Sequence, residues 1–218
     1  MASNAVTHHK EPRYPLYLTI LLMVTLQIAI TDRLTIGPKY LLAGFELLLL
    51  LVVALAHGSG KESLRPLKRH FSYLLIILVS VTNIASLVLV VSHLIGGDGI
   101  PGHTLLLSAL DIYLTNILVF GFWYWEMDSP GLSGYQEPAC GPDFLFPQMS
   151  VPDLHPAVKN FEPEFYDYIY ISVTNATAFS PTDALPLTHR AKLLMSVQSL
   201  ASLATVALVA ARAVNILN

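Results

Sequence analysis

Charged residues are scarce in this sequence, at 12% of its 218 residues. An ordinary soluble domain carries about 25%. Hydrophobic residues make up 54% of the chain, and the mean hydropathy is +0.57. That apolar surplus is too large for a soluble protein of this length to bury. The formal net charge of -3 offers no basic surface for nucleic acid. We therefore expect the lipid bilayer as the main partner, and no nucleic acid.

Cysteine is nearly absent, because Cys140 is the one cysteine of the chain and cannot form an internal disulfide. The acidic residues and histidines show no metal-ligand spacing. No nucleophile is paired with a base in any recognisable motif. We therefore expect no metal, no cofactor and no catalytic residues, and an intramembrane enzyme is the least favoured function class.

Five long apolar runs dominate the sequence, at residues 14–30, 38–56, 71–95, 103–125 and 187–217. Each is near or above the roughly 20 residues that a helix needs to cross the hydrocarbon core. Lipid offers the backbone no hydrogen-bond partners, so such segments must be helices. The runs predict an all-α, multi-pass protein of the cell (inner) membrane with five transmembrane helices.

The segment at residues 126–186 is different, because it holds nine of the fifteen acidic residues. One interpretation is a solvated acidic loop. The other is a cation-attracting vestibule, since clustered like charge focuses the electric field at a cleft. Basic residues near Lys68 mark the cytoplasmic side. With five spans, they place this acidic segment in the cytoplasm as well.

A short helix is predicted inside the acidic segment. Pro163 suits a first helical position, and Asp167 complements the dipole of a first turn. Phe165, Ile169 and Val173 recur at helical spacing. The resulting helix of about ten to fourteen residues is too short to span a bilayer, so it is re-entrant or interfacial. A turn is expected at residues 180–183.

This arrangement of span, short helix, threonine-rich turn and final helix resembles the pore module of the potassium-channel superfamily. The resemblance covers residues 103–218, and it leaves residues 1–102 as a polar tail followed by three other spans. The whole layout is also similar to that of a family of small five-span bacterial membrane proteins with no assigned activity. The residues that carry the resemblance are Tyr168, Ser172, Thr174, Thr177, Asp183, Pro186, Thr188 and Arg190.

The stretch that corresponds to the channel filter contains no glycine. Potassium filters use glycine to turn successive carbonyls toward the ion. Here Pro181 fixes one backbone angle, so we do not expect a carbonyl ladder. In a pore, weak selectivity would come from hydroxyls and one carboxylate. The ion-pathway candidates are Thr174, Thr177, Ser180, Thr182 and Asp183.

The last apolar run is rich in small residues, which let helices approach closely. Helix packing is the commoner explanation. The other is a pore wall, with Gln198, Ser202 and Thr205 as pore-lining candidates. The channel resemblance implies a homo-oligomer, with a tetramer favoured, because one chain supplies only a quarter of such a wall. It also implies that the acidic segment lies outside the cell, whereas the charge count places it in the cytoplasm, so both positions remain open.

Two carboxylates fall inside apolar runs, Glu46 and Asp111. An ionisable group at that depth is costly and is a functional candidate by default. The alternative is a protonated carboxyl that is hydrogen-bonded inside the bundle, with Asn83 and Asn116 as available partners. Asparagines of this kind commonly join neighbouring helices.

These observations predict a pore for small cations with weak selectivity. The alternative is a non-conducting membrane scaffold or sensor that keeps only the architecture of a pore module. The sequence leaves both open.

Overall fold

The chain is mostly helical, as predicted. Its computed structural model describes residues 14–29, 34, 39–58, 65–96, 100–129, 131, 141–151, 161–177 and 184–217. The helices are α1 (Tyr14–Ala29), α2 (Lys39–Gly58), α3 (Arg65–Gly96), α4 (Gly102–Asp128), α5 (Pro147–Ser150), α6 (Phe165–Thr177) and α7 (His189–Leu217). Two short antiparallel strands, β1 (Phe144–Leu145) and β2 (Leu185–Pro186), pair with each other.

Three helices are long and apolar enough to cross a membrane, namely Pro66–Gly96, Gly102–Asp128 and His189–Ala211. The apolar parts of α1 and α2 are shorter in the described residues, at Tyr17–Ala29 and Tyr40–Leu49. These lengths support a membrane protein with three candidate spans. Five spans remain a prediction.

The core is built around α4, which packs against α1, α3, α6 and α7. In the most apolar stretch of α4, 61% of the residues are buried, compared with 17% in α7. Helix α2 packs against α1 and α3. The molecule therefore has a central helix, a group of α1, α2 and α3 on one side, and α6 and α7 on the other.

Aromatic side chains join the end of α4 to the acidic segment. The Phe165 ring lies 4.8 Å from Phe122 and 5.4 Å from Trp125, between ring centres. The Phe144 ring lies 5.2 Å from Tyr124. Phe144 is fully buried, so the acidic segment docks onto the helix bundle through its apolar residues.

Helix α6 lies directly against α4, and Gly121 makes this close approach possible. A Cβ atom at Gly121 would overlap the Ile169 side chain and would lie 3.3 Å from the Ile169 Cα. Further along, Ser172 Oγ donates to the Ile117 carbonyl at 2.6 Å. Residue numbers rise along α6 while the numbers of the α4 residues beside it fall. The two helices are therefore antiparallel.

Candidate functional site

The start of helix α6 and strand β2, which follows this helix in sequence, lie at the same end of the bundle. Phe165 lies beside the C-terminal end of α4, whereas near the other end of α6 Asn175 Nδ2 donates to the Met195 carbonyl of α7 at 2.9 Å. Residues 178–183 are outside the described part of the chain. Strand β2 then pairs with β1, which lies beside Tyr124. The Phe144 ring of β1 also contacts the Tyr168 ring, so the strand pair lies beside the first half of α6.

A fully buried carboxylate, Asp143, holds the start of α7. The Arg190 guanidinium binds both of its oxygens, with Nη2 at 2.6 Å from Oδ2 and Nε at 2.8 Å from Oδ1. The Thr188 hydroxyl donates to the same carboxylate. Two-point binding of this kind fixes orientation as well as distance. The Thr-x-Arg sequence at the start of α7 therefore serves as an anchor for the acidic segment.

A second carboxylate, Asp128 at the end of α4, continues the contact. It accepts a hydrogen bond from the Tyr168 hydroxyl of α6 at 2.8 Å. It also accepts from the backbone N–H of Asp143 and, at 3.4 Å, from that of Phe144. We call the five residues Asp128, Asp143, Tyr168, Thr188 and Arg190 the carboxylate clamp. The clamp joins α4, α6, α7 and the strand pair at one end of the bundle.

Below the clamp, Gln198 is the centre of a buried polar network. Its Nε2 donates to the Ser172 carbonyl at 2.9 Å and to the Ser172 hydroxyl at 2.6 Å. Its Oε1 accepts from the Tyr124 hydroxyl at 2.5 Å and from Asn175 Nδ2 at 2.8 Å. The amide of Gln198 thus uses both its donor and its acceptor atoms to hold α6 against α4 and α7.

The network extends deeper along α4 and α7. Asn116 Nδ2 donates to the Ser202 hydroxyl at 2.8 Å, and Ser199 Oγ donates to Asn175 Oδ1 at 3.0 Å. The expectation that Asn116 joins helices is therefore confirmed. We call this set the amide network; its members are Asn116, Tyr124, Ser172, Asn175, Gln198, Ser199 and Ser202.

The three pore-lining candidates lie inside the chain. Gln198 is fully buried, and Ser202 and Thr205 are each 1% exposed. The Thr205 hydroxyl donates to the Ala201 carbonyl of its own helix. All three lie on the face of α7 that is covered within the chain. Helix packing, the commoner of the two explanations, accounts for Gln198 and Ser202, and a water-facing role for the three remains a prediction.

Two ion-pathway candidates lie at the end of α6. The Thr174 hydroxyl donates to the Tyr170 and Ile171 carbonyls, and the Thr177 hydroxyl donates to the Thr174 carbonyl at 3.1 Å. Both hydroxyls are therefore bonded within their own helix. The other three candidates, Ser180, Thr182 and Asp183, lie outside the described residues, so their roles remain predictions.

The acidic segment is less solvated than its composition predicts. Glu126 is 2% exposed and Asp143 is fully buried, whereas Glu162 and Glu164 are exposed. A fully solvated loop or an open vestibule is therefore wrong for Glu126 and Asp143. The Asp143 carboxylate is enclosed where it binds Arg190 and Thr188 at the start of α7.

Gly131 shows how tightly Glu126 is enclosed. Its φ angle is +58°, a left-handed conformation that favours glycine, and a Cβ there would overlap the Glu126 carboxylate.

At the start of α6, Asp167 accepts the Glu164 N–H at 2.7 Å. Burial raises the pKa of Asp167, and this hydrogen bond opposes the rise.

The two intramembrane carboxylates differ in environment. Glu46 is fully buried, and its partner is Gln27 of α1 rather than the expected Asn83 or Asn116. Asp111 is partly exposed on the outer side of α4. Its helical neighbours Leu107, Leu110 and Leu114 are all exposed.

No family model, curated protein or solved structure matches this chain. The resemblance to a channel pore module remains a prediction.

Proposed function

We propose that the chain is one subunit of an oligomeric pore in the cell (inner) membrane that passes small cations with weak selectivity. The observation that supports this most is the course of α6. At 13 residues, α6 is only about 20 Å long, and strand β2, which follows it in sequence, lies at the same end of the bundle as the start of α6. Non-helical backbone at membrane depth occurs where it is buried in protein or lines a water-filled path.

The end of α6 is suited to a cation. The partial negative charge at a helix C-terminus favours positive ions, and α6 directs that end toward residues 178–183. These residues supply the hydroxyls of Ser180 and Thr182 and the carboxylate of Asp183. With oxygen ligands but no glycine-based carbonyl ladder, such a path would discriminate weakly among cations.

The outer face of α7 supports assembly. Leu200 and Leu203 are exposed, and the small residues Ala204 and Ala207 on the same helix are exposed too. Small residues allow close contact between helices of neighbouring subunits. The homo-oligomer, with a tetramer favoured, is thus part of the proposal, and α7 is its main contact.

A second candidate is a non-conducting scaffold or sensor. The clamp and the amide network favour it, because the polar groups that they contain are used for packing. An alanine scan of residues 177–183 separates the candidates. A scaffold keeps its oligomeric state and function when these polar groups are lost, whereas a pore changes its ion flux.

The proposal is tested by cation and anion flux from liposomes that contain the purified full-length protein. We expect cation flux that is reduced or less selective in Asp183→Ala and unchanged in Glu162→Ala, which removes an exposed carboxylate from the same segment. Absence of flux from a stable oligomer would reject the pore and favour the scaffold.

A further inference from the structure

Glu46 lies among the helices α1, α2 and α3. It is 0% exposed. Helices α1 and α3 both pack against α2. Gln27 of α1 faces the Glu46 carboxyl group, and Thr82 of α3 contacts Gln27. A carboxylate in such a place needs either hydrogen-bond donors or a proton.

Other titratable groups of these helices are distant from Glu46. Each lies at least six residues, about 9 Å of helix, along its own helix from Glu46, Gln27 or Thr82. No ion pair therefore neutralises Glu46 among the described residues. These titratable residues, whose side chains the structure describes, are Tyr17, Tyr40, Lys68, Arg69, His70, Tyr73 and His93.

One orientation of the Gln27 amide suits an ionised Glu46. With its nitrogen toward Glu46, Gln27 donates to the two carboxylate oxygens at 3.0 and 3.1 Å. The amide oxygen then accepts from the Thr82 hydroxyl at 3.2 Å. Every donor in this arrangement meets an acceptor, and the carboxylate carries the negative charge.

The opposite orientation suits a protonated Glu46. Gln27 Nε2 then donates to the Thr82 hydroxyl at 3.2 Å, and Thr82 in turn donates to the backbone carbonyls of Leu78 and Val79, each at 3.0 Å. The amide oxygen now faces the carboxyl group. Only a carboxyl that holds a proton can donate to it.

We propose that Glu46, Gln27 and Thr82 form a reversible proton-binding site. The proton binds at a carboxyl oxygen of Glu46, and a half-turn of the Gln27 amide exchanges the donor for the acceptor. In both protonation states a hydrogen bond therefore joins Gln27 to Glu46 at the same heavy-atom positions. The site lies outside α4, α6 and α7 and does not depend on the proposed pore.

The test is infrared difference spectroscopy of the full-length protein in acidic and alkaline buffer. We expect the C=O band of a buried carboxylic acid in acidic buffer and its loss in alkaline buffer. Glu46→Gln, which keeps the shape of the side chain, removes the band. The control Glu164→Gln, at an exposed carboxylate, leaves it unchanged.

A second variant tests the role of the amide and does not require Glu46→Gln to fold. Gln27→Leu removes the N–H donor of the ionised state as well as the acceptor of the protonated state. Because the bond to the charged form is the stronger of the two, the band should disappear at higher pH than in the unaltered protein. The proposal is overturned if the band assigned to Glu46 is absent or persists throughout the pH range. It is also overturned if loss of the band follows sodium concentration rather than pH, which would indicate a metal-ion site.

Discussion

The Arg190 guanidinium binds a carboxylate that solvent does not reach. The side chain of Arg190 is 45% exposed and that of Asp143 is 0% exposed. Solvent therefore screens the arginine, and the net energy of the pair is smaller than for two buried ions. The aspartate, however, has no water to replace a lost partner. Removing the arginine leaves a buried carboxylate with fewer hydrogen-bond donors, and such an uncompensated buried charge destabilises the fold.

Arg190→Gln is expected to destabilise the protein by about 2 kcal/mol, because hydrogen bonds to a buried charged group are worth roughly 1.5–3 kcal/mol. The measurement is denaturant unfolding of the purified protein in detergent. Lys192→Gln removes an exposed charge on the same helix and should change stability little. Equal stability of both variants would show that the clamp does not hold α7.

Gln198→Leu is expected to destabilise by about 1–3 kcal/mol, because buried polar groups lose their partners. Asn175 and the Ser172 hydroxyl each lose a partner, and so does the hydroxyl of Tyr124. The same unfolding assay measures this change, with Ser196→Ala as the control at an exposed position of α7. An unchanged unfolding midpoint in Gln198→Leu would contradict the account of the amide network.

At the scale of elements, α6 is placed by one glycine and several polar contacts. Its existence could be predicted from Pro163 and the apolar spacing that follows, and the observed helix Phe165–Thr177 agrees with that prediction. Its partners could not be predicted in the same way. The clamp joins Asp128, Asp143 and Arg190, which are far apart along the chain. Only the strand pairing and the docking of Phe144 bring them together.

Gly121→Ala is expected to destabilise the contact between α4 and α6 by about 1–3 kcal/mol through overpacking. Adding Ile169→Ala should restore part of the loss, because it removes the overlapping side chain. Gly44→Ala is the matched control. A Cβ at Gly44 meets no atom within 4 Å, and alanine favours the helix. If Ile169→Ala does not restore stability to Gly121→Ala, the loss of stability does not arise from overlap between these two residues.

At the scale of the whole molecule, the apolar runs predicted helices but not their arrangement. The most apolar stretches of α4 and α7 have nearly the same mean hydropathy, so hydropathy does not reveal that α4 is central and α7 peripheral. That difference arises from packing, in which Gly121 allows Ile169 to approach α4 closely and the Asn116 side chain donates to Ser202. The polar residues of α7 illustrate the same limit. Their amides and hydroxyls are compatible with either a water-lined pore wall or a packed helix interface. Only their observed neighbours distinguish the two.

Ala204→Phe is expected to disrupt the oligomer without unfolding the subunit. Ala204 is exposed on α7, so the larger side chain is tolerated within one chain but interferes with close helix contact between subunits. Native mass measurement in detergent reports the oligomeric state. Leu18→Phe, on the exposed side of α1, is the control. An unaltered oligomer in Ala204→Phe would exclude this face of α7 as the interface.

The most direct test of the account asks whether the segments before and after α6 lie on the same side of the membrane. Single cysteines at Glu162, Leu187 and His103, all exposed positions, would be introduced into a Cys140→Ser background and labelled with a membrane-impermeant maleimide in oriented vesicles. The account predicts that the cysteines at positions 162 and 187 react from one side and the cysteine at position 103 from the other. Reaction at positions 162 and 187 from opposite sides would show that α6 crosses the membrane, and would contradict the account.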